Sequence, residues 1–313
     1  MTTDLGLLVM SYGTARDLDD VEQYYTHIRR GSPPPPELLA ELRERYAAIG
    51  GASPLTAITQ AQVDGLARTL NADPGSPRRF RPYNGLKHQT PYIEDAVEAM
   101  AADGVRRAVG MVLAPHFSRF SIGQYTERAR AAAEPHGIET TFVRSYGTHP
   151  AFVAFTVDRV REALASLPED LRGDAVVMFS AHSLPARILA AGDTYPEELR
   201  ATADRVGAVI GLPAERVRVA WMSAGRTQEE WLGPDIADVL RELAAGGVRA
   251  VVSAPVGFVS DHLEILYDVD IELREVADDV GVTLVRTRSG NDDPAFLDVL
   301  ATVVREHLDA EGW

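Results

Sequence analysis

Short apolar runs rich in β-branched residues alternate along the chain with amphipathic stretches. Leu5–Met10, Ala108–Ala114, Ala175–Ser180 and Ala250–Ala254 are continuous runs of strand length. Such runs fit parallel strands covered on both faces. Between them the pattern turns helical. Over Glu37–Ile49 the apolar residues Leu38, Leu39, Leu42, Tyr46 and Ile49 fall at helical spacing, after prolines 33–36 and before Gly50 and Gly51. Those are ordinary start and stop signals. A last helix is predicted over Phe296–Leu308. Strand–helix alternation of this kind predicts a doubly wound α/β fold.

The pattern also repeats. LGLLVMSYG from Leu5 resembles DAVVMFSAHS from Asp174, and AVGMVLAPHFS from Ala108 resembles AVVSAPVGFVS from Ala250. Two similar α/β halves follow, joined near Tyr146–Phe152. In open α/β sheets ligands bind beyond the carboxyl ends of the strands. The loops of interest are therefore Ser11–Thr14, Pro115–Ser118, Ala181–Pro185 and Pro255–His262.

Composition narrows the chemistry. There is no cysteine among the 313 residues, which removes disulfides, thiolate metal sites, iron–sulfur clusters and cysteine nucleophiles together. A metal must be held by His, Asp, Glu, Tyr or backbone oxygen, donors that suit borderline or hard divalent ions. The net charge of -15 opposes nucleic-acid binding, which needs a basic face. The amino terminus lacks a basic n-region and no apolar run is long enough to span a membrane, so a cytoplasmic protein is expected. Without heptads or a large apolar stripe beyond the predicted cores, a monomer is expected. No P-loop, dinucleotide fingerprint, HExxH or nucleophile elbow is present.

What remains is a set of histidines, carboxylates and cations near strand ends. His182 stands just past a buried run, where a neutral imidazole can bind a metal or take a proton near pH 7. Taken alone, such a histidine more often makes a hydrogen bond within a loop. From Pro255 to Glu272, a helix capped by Ser260 or Asp261 carries Glu264, Asp268 and Glu272 four residues apart on one face. Stacked carboxylates repel unless cations intervene. The face is either solvated or a path that leads a hydrated cation inward. Tyr12, at the end of the first strand, is a phenol ligand or a cleft wall. Arg29, Arg30, Arg43, Arg45 and Lys87, near Tyr24, Tyr25, Tyr46 and Tyr125, form a cationic set suited to an acidic small molecule.

These residues together resemble one family. GLLVMSYGT, YYTHIRRG and ELRERYAAIGGASPL within Gly6–Leu55, then GLKH, LAPHFSRFSIGQY, FSAHSLP, WLGPD and PVGFVSDHLEILYD, are similar to bacterial ferrochelatases of the type that uses coproporphyrin III. The likeness runs through nearly the whole chain. It implies two Rossmann-like domains, 1–146 and 147–313, with the carboxy-terminal helix free to pack back on the first, and the active site in the interdomain cleft. Its histidine and glutamate fall on His182 and Glu264. Its acidic conduit falls on Asp268 and Glu272, on a helix with a wide turn of the kind that often marks functional sites. Its cleft tyrosine, close to the metal, falls on Tyr12. Its porphyrin contacts fall on Tyr12, Arg29, Arg45, Tyr46, Ser53 and Tyr125.

The activity implied is insertion of Fe(II) into coproporphyrin III to form coprohaem on the route to haem b. Iron and porphyrin are substrates and no cofactor is implied. The [2Fe–2S] cluster of some relatives is excluded by the missing cysteines. A soluble form is expected, with transient contacts to other haem-pathway enzymes. The alternatives are a protoporphyrin IX ferrochelatase, a cobalt or nickel chelatase for a more reduced tetrapyrrole, a non-catalytic haem or metal carrier, and a binding protein of the periplasmic type.

Overall fold

The computed structural model describes residues 3–313. Eight strands form two four-stranded parallel sheets. The first sheet contains β1 (Thr3–Ser11), β2 (Arg78–Leu86), β3 (Arg107–Val112) and β4 (Glu139–Phe142), in the order β2-β1-β3-β4. The second contains β5 (Val176–His182), β6 (Val217–Met222), β7 (Ala250–Ala254) and β8 (Thr283–Arg286), in the order β6-β5-β7-β8. The two orders are the same, so β1 corresponds to β5 and β3 to β7, the pairs that the repeated sequences had matched. The fold is α/β with two similar Rossmann-like sheets.

The four apolar runs are the four inner strands. Each inner strand is covered on both faces, so its sequence is apolar throughout. The outer four were not foreseen. β2, with Pro82 and alternating arginines, is an edge strand, where proline is tolerated because one side of the backbone has no partner. Two boundaries also move. β3 ends at Val112, two residues before the predicted Ala114. β5 continues through Ala181 and His182, which pair with Trp221 and Met222 of β6. His182 is therefore the last residue of a strand and not part of a loop.

The predicted helix over Glu37–Ile49 runs from Pro36 to Ala48, with Pro36 in the first turn. It stops where Gly50 takes a φ of 100°, a left-handed conformation that a side chain resists. The last helix, Pro294–Ala310, is capped by Asp293, whose carboxylate accepts the Ala295 N–H at 2.9 Å. Its Phe296, Leu300, Val304 and Leu308 share one face and one core with Leu5, Leu7 and Val9 of β1. It lies so close to the helix Leu55–Leu70 that a Cβ on Gly65 would stand 2.4 Å from Leu297 Cδ1. The end of the chain thus completes the core around the first strand.

Phe296 is fully buried in that core. Phe296→Ala should lower stability by about 3–5 kcal/mol through lost burial and the cavity left behind. Urea unfolding measures this; an unchanged midpoint would contradict the placement of the helix.

Candidate active site

The carboxyl ends of both sheets face one cleft. A cavity of about 520 Å³ lies there, lined by Tyr12, Tyr46 and Tyr125 from the first half and by His182, Trp231 and Glu264 from the second. Its size is that of a small-molecule site, and its walls are largely apolar with several aromatic rings. A second cavity of about 420 Å³ adjoins it, lined by Glu41, Asp235, Glu264, Asp268 and Glu272 with Arg45 and Arg226. Glu264 and Arg45 belong to both walls.

His182 closes β5, and its Nδ1 hydrogen bonds the Ser183 carbonyl. A carbonyl only accepts, so Nδ1 carries a proton, and in the neutral ring Nε2 is the free acceptor. Nε2 faces Glu264 Oε2 at 3.8 Å. That oxygen is buried and has no hydrogen-bond partner. With the ring neutral, an imidazole lone pair and a carboxylate lone pair face each other. The gap is too wide for a hydrogen bond, yet it can be spanned by two bonds of about 2.1 Å to a shared cation. Trp231 and Phe258 stand beside the imidazole, with centroids 6.5 Å and 6.4 Å away.

The loop after β7 must come very close to β5 to make this pair. A Cβ on Gly257 would lie 2.3 Å from Ala181 Cβ, so only glycine fits. Glu264 then opens a helix whose wide turns cover Ile265–Leu273. His262 Nδ1 accepts the Glu264 N–H at 3.1 Å. Burial lowers the pKa of His262 and favours its neutral form.

The expected carboxylate face is present. Asp268 and Glu272 follow Glu264 along the second cavity. The cation that separates these charges is Arg45, which pairs with Asp268, reaches Glu272 at 3.5 Å and lies 4.5 Å from the Tyr267 ring. Ser223, whose backbone is left-handed at φ 58°, also donates to Asp268. Burial and the neighbouring Glu264 charge nevertheless push the Asp268 carboxyl up to about 7. Among the described residues no three His, Asp or Glu side chains converge as a ready-made metal site. His182 and Glu264 are a pair, while Asp268 and Glu272 stand further along beside Arg45.

Tyr12 directly follows β1, the strand that corresponds to β5, and is 41% exposed, but to the cavity it lines. Enclosure by the cleft and the Glu264 charge raise its phenol pKa, so it stays protonated. Tyr46 is buried, its hydroxyl hydrogen bonded to Thr14 Oγ1 at 2.7 Å and accepting the Ala15 N–H at 3.2 Å. Tyr125 is buried in the wall beside Lys87, whose Nζ is 5.1 Å from its ring and donates to Gln124 Oε1 at 2.7 Å. Burial, with Arg128 and Arg30 nearby, pushes Lys87 down to about 8. Lys87 and Arg45 are the two Lys or Arg side chains in the lining of the larger cavity.

The other predicted contacts fall elsewhere. Arg29 and Ser53 do not line the cavity. The Arg29 guanidinium lies 5.9 Å from the Tyr25 ring, and Ser53 Oγ accepts the Leu55 N–H at 3.3 Å. Arg43 pairs with Glu22 at 3.5 Å. Sequence reading gave no role to Trp231, Phe258, His262 or Ser223. The first three lie in segments that carried the family likeness, so they could have been named; Ser223 sits in no such motif.

The Ferrochelatase family model matches residues 4–308. The chain belongs to the ferrochelatase family. A coproporphyrin III ferrochelatase of Anoxybacillus flavithermus is 51% identical over 98% of each chain. One of Bacillus subtilis is 48% identical over 97% of this chain and 98% of its own. A Herpetosiphon aurantiacus protein named ferrochelatase is 45% identical over 97% of this chain and 99% of its own. Among solved structures, SirB from Bacillus subtilis with Fe3+ superposes with a TM-score of 0.60 at 13% identity, covering 99% of this chain and 98% of that one. That last likeness is one of fold. Among the described residues no helix is long and apolar enough to cross a membrane.

The raised Asp268 pKa has a measurable consequence. The folded state holds this proton to about pH 7, whereas an unfolded aspartate loses it near pH 4. The group therefore stabilises the fold at low pH, and that contribution is lost as pH rises from about 4 through about 7. Asp268→Asn should gain thermal stability relative to the parent between pH 5 and pH 8. Parallel melting curves across that range would contradict the shift.

Proposed function

We propose that this member of the ferrochelatase family inserts Fe(II) into coproporphyrin III, forming iron coproporphyrin on the route to haem b. The observation that carries the reading is the facing pair of His182 Nε2 and the unpartnered Glu264 Oε2 at the junction of an apolar cleft and an acidic cavity. The choice of porphyrin is supported by relatives 48–51% identical along nearly their whole length and named for coproporphyrin III. The reading keeps the halves at 1–146 and 147–313, with the last helix belonging to the first core.

Insertion has three requirements. The ferrous ion must exchange water for protein donors, the macrocycle must lose two N–H protons, and its nitrogens must face the ion. In this proposal Asp268 and Glu272 attract the hydrated cation from the side cavity. Glu264 and His182 then take it in place of water, since carboxylate and imidazole both bind Fe(II). As the ion passes to the macrocycle these donors are released and become the acceptors for the pyrrole protons, acting as a coupled pair in which either residue can take the leading role. Tyr12 lies across the ring from them, a neutral phenol close to the incoming metal. The macrocycle rests between the walls formed by Tyr12, Tyr46 and Tyr125 and those formed by Trp231 and Phe258. Arg45 and Lys87 take propionates, with Arg29 and Ser53 behind this first layer. The choice between four and two propionates rests on the named relatives and not on these two cations.

Anaerobic mixing of protein and Fe(II) with coproporphyrin III or protoporphyrin IX, followed by loss of free-base fluorescence, tests the reading. Turnover well beyond one equivalent, faster with coproporphyrin, is expected. Preference for protoporphyrin would reassign the substrate, and quenching that stops at one equivalent would indicate a carrier.

His182→Ala should lower kcat about 10²-fold or more by removing a proton acceptor and a metal donor, with the porphyrin Kd nearly unchanged. Retained turnover would remove His182 from the mechanism.

A further inference from the structure

Behind the face that carries Glu264, Asp268 and Glu272 lies an ionic cluster that the proposed reaction does not use. Arg286, the last residue of β8, forks onto Asp270, Nε to Oδ1 at 2.8 Å and Nη2 to Oδ2 at 2.9 Å. Its Nη1 reaches Asp261 Oδ1 at 3.1 Å and the Thr287 carbonyl at 3.2 Å. Asp261 is saturated: Oδ1 accepts from Ser289 Oγ at 2.7 Å and Oδ2 from Asn291 Nδ2 at 2.9 Å. Its own N–H donates to Asn291 Oδ1 at 2.8 Å. Asn291 adopts a left-handed φ of 45° at this contact. Burial works against the Asp261 charge, but Asn291, Ser289 and Arg286 outweigh it and hold the carboxyl below its ordinary value.

Asp261 and Asp270 bracket Glu264 in the chain. Asp261 stands just before the helix, and Asp270 lies within its wide turns. Residues two apart on a helix point to nearly opposite sides. A grip on Asp270 from β8 therefore turns Asp268 towards the side cavity. A two-point guanidinium–carboxylate contact fixes orientation as well as distance, which a single contact would not. The other grip, on Asp261, fixes the start of the helix. From there His262 receives the Glu264 N–H, and Glu264 faces His182. Wide turns are an uncommon and less favoured geometry, so a helix built from them needs outside contacts to hold its rotation.

We propose that Arg286, gripping Asp261 and Asp270, is a positioning residue that sets the rotation of the wide-turn helix and so aims Glu264 at His182. Its effect on metal insertion rests on the role given to Glu264 above.

Two substitutions in the full chain separate the parts. Arg286→Lys keeps the charge and loses the fork. Asp270→Asn keeps the volume and leaves Arg286 its contact with Asp261. Fe(II) KM, kcat and the coproporphyrin Kd are measured anaerobically for each. Disturbing the groups that orient metal ligands typically lowers affinity or activity by about 10–100-fold. The expected result is a loss of that size in kcat/KM for Fe(II), with the porphyrin Kd within about twofold of the parent. A merely structural role would lower the number of porphyrin-binding sites and leave the Fe(II) KM of the remaining molecules unchanged, and that result would overturn the proposal. If Arg286→Lys does not fold, Asp270→Asn decides. Amide hydrogen exchange over residues 261–273 is read on the same variants with no metal present. It should quicken, and unchanged exchange would overturn the clamp whatever the parent's activity. A parent that fails to insert iron while its exchange responds as expected would instead overturn the role of Glu264.

Discussion

The approach of His182 Nε2 to Glu264 Oε2 at 3.8 Å is the contact on which the site depends. The Ser183 carbonyl fixes a proton on Nδ1 and turns Nε2 towards the carboxylate. The facing oxygen of Glu264 is buried without a donor. Leaving that buried oxygen unpaired costs about 1–3 kcal/mol, whereas the His182 side chain is 35% exposed. A cation between them removes that cost. The repeated topology explains how the pair arises. The imidazole ends an inner strand, the carboxylate begins the helix that follows the neighbouring strand, and Gly257 lets the connecting loop touch β5.

Charge is handled on the same plan. Three carboxylates on one face of a helix repel, and Arg45 enters between Asp268 and Glu272 to offset this. Arg286 acts on the opposite side, where Asp270 and Asp261 would otherwise add to the acidic field. Even so, burial leaves Asp268 near neutrality in its titration. The acidic cavity sets Glu41, Asp235, Glu264, Asp268 and Glu272 against Arg45 and Arg226, a balance that attracts a divalent cation. The aromatic cleft beside it has the opposite character, with Lys87 and Arg45 as its two lysine or arginine side chains. A flat apolar ring with an acidic rim matches that distribution.

Much of this was legible in the chain, for stated reasons. Inner strands are apolar on both faces, so β1, β3, β5 and β7 stood out, and their likeness in pairs gave the repeat. Edge strands mix polar and apolar residues, so β2, β4, β6 and β8 did not. The carboxylate spacing placed Glu264, Asp268 and Glu272 on one face, which the structure bears out. The run of apolar residues could not show that β6 extends β5 to His182, because pairing is a property of two segments. Nor could it show that Arg45, more than two hundred residues earlier, would lie between the acids. Ser53 came from the family likeness alone and Arg29 from the likeness and the cationic set, and both lie outside the cavity lining. Asp261 reads in the sequence as a candidate helix cap and Asp270 carries no signal, but the Asp261 carboxylate bonds Arg286, Ser289 and Asn291, and Arg286 also holds Asp270.

The central claim is that His182 and Glu264 jointly hold the incoming cation. X-ray absorption at the iron edge, on protein loaded anaerobically with one equivalent of Fe(II) and no porphyrin, measures this directly. The account predicts one imidazole in the coordination shell together with oxygen donors. That imidazole signal should vanish in His182→Ala, and the iron should be held more weakly in Glu264→Gln. A spectrum that is the same in the parent and in His182→Ala would contradict the account, because the iron would then rest on the side-cavity carboxylates and water alone.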